Sequence, residues 1–172
     1  MDEIELQDYD PRWPAEFAEE EDRIRAVLPL QLVLGVEHFG STAIPGLSAK
    51  PIIDILIAVS SLPEAREQAI SPLEAIGYSY WRDNPKVDDL FLVKGLPPSA
   101  KRRTHHIHIT EKTGELWQRL LFRDYLRLHP EEAQAYERLK RSLAAAYRDD
   151  REAYTAGKAD YIREVMGKAR TG

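Results

Sequence analysis

HFGSTAIPGLSAKPIIDILI, residues 38–57, is the stretch on which the reading of this chain turns. The Leu- and Val-rich run Gln31–Phe39 predicts a strand that ends on Gly40-Ser41. Small residues there let backbone amides and a hydroxyl approach an anionic ligand closely. Pro45 and Gly46 then turn the chain, and Lys50 sets a positive charge at the lip of a second strand, Pro51–Val59. That strand is apolar almost throughout, with Asp54 as its one carboxylate. An ionised carboxylate in an apolar strand is costly unless it is paired, hydrogen-bonded or metal-bound. The pattern therefore reads as a phosphate-and-metal site, with Gly40, Ser41 and Thr42 toward phosphate and Lys50 and Asp54 toward the chemistry.

Working outward, Pro14–Val27 has helical spacing, with Phe17, Ile24 and Val27 on one side and the acidic run Glu19–Asp22 expected on a solvated face. Pro63–Ile76 also reads as helix, broken or kinked at Pro72. Tyr78–Arg82, Leu90–Lys94 and Thr104–Thr110 have the size and composition of strands, and Gly95–Ser99 is a proline-bearing loop. After residue 110 the pattern turns helical. Leu116, Leu120, Leu121, Tyr125 and Leu128 form one stripe; Ala133, Tyr136, Leu139, Leu143 and Tyr147 form a second; Tyr154, Tyr161, Ile162 and Val165 form a third. The layout is α+β: a mixed sheet with flanking helices and a helical C-terminal half, expected as one domain over residues 1–172, sheet-rich to 110 and helical from 111.

Strand alternation puts His106 and His108 on one face, with Thr104 and Thr110, and turns His105 inward beside Ile107 and Ile109. Two imidazoles on one face, joined by Asp54 from a neighbouring strand, make a mixed N/O set suited to Mn²⁺, Zn²⁺ or Fe²⁺. The alternatives are a surface pair or imidazoles that hydrogen-bond phosphate. Lys101, Arg102 and Arg103 precede that strand and either serve phosphate or are simply solvated. Lys158 falls on the apolar stripe of the last helix, so it either snorkels or faces a pocket. Arg123 and Asp124 either pair with another helix, the favoured reading, or line the cleft; Tyr125 and Tyr136 either stack on a base or, the better reading, pack in the core; and His129 is read as helix-entry chemistry before Pro130. His38 is open between a structural and a catalytic role.

Bulk properties narrow the function classes. The chain has 172 residues, 43% of them hydrophobic and 31% charged, enough for an ordinary globular core. It has no cysteine, which excludes disulfides and thiolate ligands. No signal-peptide pattern or membrane-length apolar run occurs, so the expected location is cytoplasmic. The net charge of −5 is concentrated in residues 1–37, which hold 11 acidic and 3 basic side chains. The remainder is near neutral. A long nucleic-acid surface needs a basic stripe, so a small anionic substrate is expected instead. The P-loop, GxGxxG and GxSxG patterns are all missing, which argues against kinase and serine-hydrolase chemistry.

GSTA at 40–43 followed by IPGLSAKPIIDI at 44–55 resembles the signature of the GrpB family, itself similar to the nucleotidyltransferase superfamily. YDPRWPAEF (9–17), RTHHIHIT (103–110), LLFRDYLRLHP (120–130) and YTAGKADYI (154–162) extend the resemblance over essentially the whole chain. It implies a nucleotidyltransferase-like fold that binds a nucleoside triphosphate or another small phosphorylated ligand with a divalent metal, Mn²⁺, Mg²⁺ or Zn²⁺. Gly40, Ser41, Thr42, Lys158 and Arg103 would contact phosphate, Lys50 and Asp54 would be catalytic, and Asp54, His106 and His108 would hold the metal. The acceptor of the nucleotidyl group is open. The superfamily's Asp-x-Asp is broken here, because Leu56 stands where the second carboxylate belongs. That departure keeps two alternatives in view: a metal-dependent phosphohydrolase or phosphodiesterase, and a non-catalytic nucleotide-binding module.

Overall fold

The computed structural model describes residues 4–171, so the two ends of the 1–172 span lie outside it. A helix α1 (Trp13–Val27) leads into strand β1 (Val33–Phe39), a single 3₁₀ turn (Ser41–Ala43) and strand β2 (Ile53–Val59). Helices α2 (Leu62–Gln68) and α3 (Ile70–Ala75) follow, then strands β3 (Tyr78–Tyr80), β4 (Leu90–Lys94) and β5 (His105–Thr110). Three helices complete the chain: α4 (Glu115–Leu128), α5 (Pro130–Ala146) and α6 (Arg151–Thr171). The five strands lie in the order β1-β2-β5-β4-β3. β2 and β5 are parallel and every other pair is antiparallel. The α+β reading holds, and the expected strands appear within a few residues of their predicted ends. Among the described residues no helix is long and apolar enough to cross a membrane.

One face of the sheet carries Ile55, Ile57, Ile107 and Ile109, all fully buried, and α1 closes over it with Ile24. Burying each such side chain contributes about 1.5–3 kcal/mol. The opposite face presents Asp54 and His106, which are register partners on β2 and β5. Phe39, at the end of β1, is the partner of Asp54 on its other side. Pairing alone thus sets three chemically distinct side chains side by side, where the parallel strands begin.

Two expectations need correction. The helical break falls at Ala69 rather than at Pro72. Pro72 sits in the first turn of α3, where a missing N–H removes no intrahelical bond. The acidic run of α1 is also not wholly solvated, because Glu20 is completely buried. Its carboxylate accepts hydrogen bonds from Lys94 Nζ (2.5 Å), Tyr78 Oη (2.7 Å) and Arg23 (2.8 Å). Burial alone would push its pKa up, but these three donors outweigh burial and hold it down at about 2. The spacing Phe17, Glu20, Ile24, Val27 places Glu20 on the apolar stripe, a signal hidden by the neighbouring glutamates.

A second apolar cluster joins the C-terminal helices to the loop after β1. Ile44 and Leu47 from the loop pack with Leu126, Tyr136 and Val165. Tyr125 and Tyr136 are therefore packing residues, as read from the sequence, and Tyr161 stacks on Tyr136 at 5.4 Å. His129 supports the turn between α4 and α5, its Nδ1 donating to the Tyr125 carbonyl at 2.8 Å.

Candidate functional site

The site is built on the loop from Gly40 to Lys50. Gly40 has φ +74°, and a Cβ there would stand 2.6 Å from Asp54 Oδ2. Only glycine satisfies both the left-handed backbone and this close approach to the carboxylate. Thr42 is buried and its hydroxyl is spent inside the fold, 2.8 Å from His38 Nε2 and 3.4 Å from the Ile52 carbonyl. His38 in turn stacks on Phe17. Burial is the main reason its pKa is pushed down to about 4, so at neutral pH it is an uncharged support for the loop.

Helix α5 clamps the same loop from the other side. Glu137 accepts from both the amide and the hydroxyl of Ser48, each at 2.7 Å. Lys140, almost completely buried, donates to the Ser48 carbonyl at 2.5 Å and lies 2.8 Å from Ser41 Oγ. Burial and, next, the nearby Lys158 push the Lys140 amine down to about 7. The sequence reading passed over Lys140. Its signal is the same as that of Lys158: it lies four residues after Tyr136 on the buried stripe of its helix.

Lys158 projects from α6 over the ring of Tyr154, 4.5 Å from its centre, and Lys50 approaches the same ring at 5.5 Å. Burial lowers the pKa of Lys158 as well. Lys50, Lys140, Arg151 and Lys158 converge with Ser41, Asp54 and His106 on a cavity of about 190 Å³. Four basic side chains around one carboxylate favour an anion there, with Lys140 held at about 7 and so only partly charged at neutral pH. A second cavity, of about 260 Å³, opens on the other side of Ser41, Asp54 and Lys158.

The histidines divide. Asp54 Oδ1 and His106 Nδ1 are 3.4 Å apart. His108 turns its Nδ1 to buried Asp89, 3.1 Å away, and packs against Phe91 and Phe39. The expected triad of Asp54, His106 and His108 is thus replaced by two Asp–His pairs, because Asp89 from the loop before β4 competes for His108. Among the described residues, no three His, Asp or Glu side chains gather as a metal-binding group. The Asp54–His106 pair still fits part of a metal site. Two donors at about 2.1 Å from a tetrahedral ion stand about 3.4 Å apart. His106 also has a buried Nε2 without a partner among the described residues. Leu56 is fully buried beneath this pair, so no second strand carboxylate faces the cavity.

Not every expected residue reaches the site. Arg103 lies beside Gly95 and Leu96, outside both cavities, since the loop before β5 carries it past the strand edge. Arg123 pairs with a strand rather than a helix: its guanidinium donates to Glu37 (2.7 Å) and to the His38 carbonyl (2.8 Å), besides adjoining Asp124.

Four matches say what this chain is similar to. The profile described as GrpB protein matches residues 3–168. A UPF0157 protein of Pseudomonas aeruginosa is 46% identical over 98% of this chain and 68% of its own length. The crystal structure of the conserved protein GrpB from Enterococcus faecalis superposes with a TM-score of 0.84 at 35% identity, covering 96% of each chain. A more distant relative, named dephospho-CoA kinase, from Mycolicibacterium paratuberculosis, is 32% identical over 93% of this chain but only 44% of its own length.

Proposed function

The chain belongs to the GrpB family, and from that premise we propose that it binds the phosphates of a nucleoside triphosphate in the first cavity and transfers its nucleotidyl group to a second molecule. One observation carries this reading: Lys50, Lys140, Arg151 and Lys158 surround Asp54 at the Gly40-Ser41 turn. Phosphates would lie against these cations, with the Ser41 hydroxyl fixing one oxygen. The cations would stabilise the charge that collects on the departing pyrophosphate, and their positions are set in advance by α5, α6 and the loop that carries Lys50. Asp54 and His106 would hold a divalent ion, Mn²⁺, Mg²⁺ or Zn²⁺, which when bound adds charge neutralisation at the phosphate oxygens. With only two protein donors, ligand oxygens or water would complete its shell. The mycobacterial relative's kinase name is in keeping with a nucleotide ligand. That name belongs to a protein more than twice as long as the matched region, and this chain contains no P-loop.

The test is product analysis with each nucleoside triphosphate, labelled at the α-phosphorus, in the presence of Mg²⁺, Mn²⁺ or Zn²⁺ and pools of candidate acceptors. Pyrophosphate release, with the label transferred to a new species, is the expected outcome. Release of inorganic phosphate or nucleoside monophosphate without any acceptor would favour the phosphohydrolase reading. Nucleotide binding without turnover in any pool would favour the non-catalytic module.

A further inference from the structure

The second cavity is lined unlike the first. Phe39, Ile44, Leu116, Phe122 and Ile162 give it an apolar wall, and Lys86 and Arg119 bring positive charge to it from the β3–β4 loop and from α4. Arg123 also borders it, but Glu37, Asp124 and the His38 carbonyl already hold that guanidinium. Arg119 makes no hydrogen bond or ion pair with any described residue, and the same is true of the Lys86 ammonium.

Two occupants fit this lining poorly. A neutral nucleobase would use the aromatic wall but has no call on two uncommitted cations. A triphosphate would use the cations but gains nothing from the apolar wall, and the first cavity already offers four basic groups. The two cavities share Ser41, Asp54 and Lys158, so an occupant of one meets the occupant of the other across the Asp54 carboxylate.

We propose that the second cavity is the site of the second substrate, and that this substrate is an amphipathic anion: a small molecule with an apolar or aromatic body and a carboxylate or phosphate group. Its role as acceptor, in which an oxygen of its anionic group bonds to the α-phosphorus as the bond to the bridging oxygen breaks and pyrophosphate leaves, rests on the nucleotide reading of the first cavity; its binding does not. The anionic group meets Arg119 and Lys86, and the body packs on Phe122 and Leu116. Charge-assisted recognition of this kind specifies both ends of the molecule, which neither wall could do alone.

The experiment uses phenyl phosphate, benzoate and inorganic phosphate as probes, with calorimetric titration of wild-type protein and of two charge reversals. Arg119→Glu alters an exposed helix position at the cavity, and Lys101→Glu alters an exposed loop position away from it. At least one aromatic anion binds at least tenfold more tightly than inorganic phosphate, and Arg119→Glu weakens it about tenfold. Lys101→Glu leaves it unchanged. Which of phenyl phosphate and benzoate binds better identifies the anionic group. Saturating the protein with a non-hydrolysable nucleotide leaves the aromatic anion bound. Competition between nucleotide and aromatic anion, equal loss in both charge reversals, or no binding of either aromatic anion would overturn the assignment. Should nucleotide fail to bind at all, the nucleotide reading falls, while the Arg119 comparison still decides the anion site.

Discussion

Asp54→Asn lowers nucleotidyl transfer by at least about a hundredfold, the scale on which removal of one preorganised electrostatic group acts. The substitution keeps the size of the side chain and deletes only its charge. Asp54 is partly exposed to the cavity, and its surroundings at Gly40 accept any group of that shape, so the fold persists. The accompanying change in affinity separates a chemical role from a structural one. Without divalent ions, the carboxylate repels phosphate while four basic groups attract it. The Asn variant therefore binds metal-free nucleotide at least as tightly as wild type. Binding assayed with and without EDTA, alongside turnover, reads both effects. Turnover within about twofold of wild type would remove Asp54 from the chemistry, and parallel losses of affinity and melting temperature would mark it as structural.

Lys140→Met makes the protein less sensitive to pH while weakening its hold on nucleotide. In an unfolded chain a lysine amine keeps its proton up to about pH 10.4. In the folded protein burial pushes it down to about 7. Between those values the unfolded state binds more protons, so the wild-type protein gains stability as pH rises through this window and loses it as pH falls toward 7. From pH 7 to about pH 9.5 the gain is of order 3 kcal/mol. The Met variant loses most of that slope. Lys158, also lowered by burial, leaves a remainder of the same sign. At neutral pH the variant is no less stable than wild type, since replacing a buried ionisable group by an apolar one of similar volume is often neutral or favourable. Urea unfolding of both proteins at the two pH values checks this. Equal slopes would mean that the Lys140 amine is solvated in the native state. Retained nucleotide affinity would mean that it only anchors Ser48.

This trade of stability for charge explains what the sequence could and could not reveal. The sheet was legible because β2 and β5 are apolar runs bounded by turn residues, and the Gly40-Ser41 turn was legible because few residues other than glycine tolerate its geometry. Asp54 stood out as the one charge in an apolar strand. Lys140 and Glu20 were not seen, although each lies at helical spacing from buried aromatic or aliphatic neighbours. A charged residue on an apolar stripe looks like a snorkelling side chain until its partners are known, and those partners, Ser41, Ser48, Tyr78 and Lys94, come from distant segments. His108 failed for a related reason. Strand alternation places it correctly beside His106, but the competing carboxylate of Asp89 comes from a loop whose path no periodicity encodes.

The most direct measurement of the central claim is a thermal-shift matrix: ATP, GTP, CTP and UTP, each with Mg²⁺, Mn²⁺, Zn²⁺ or EDTA, on wild-type protein and on Asp54→Asn. A ligand at a hundred times its Kd stabilises the native state by about 2.7 kcal/mol. For a chain of this size each kcal/mol raises the melting temperature by roughly 2–4 °C. The account predicts a rise of several degrees for at least one nucleotide, a further rise when the divalent ion is added, and loss of that second increment alone in Asp54→Asn. No shift with any nucleotide, or a metal increment that survives in Asp54→Asn, would contradict it.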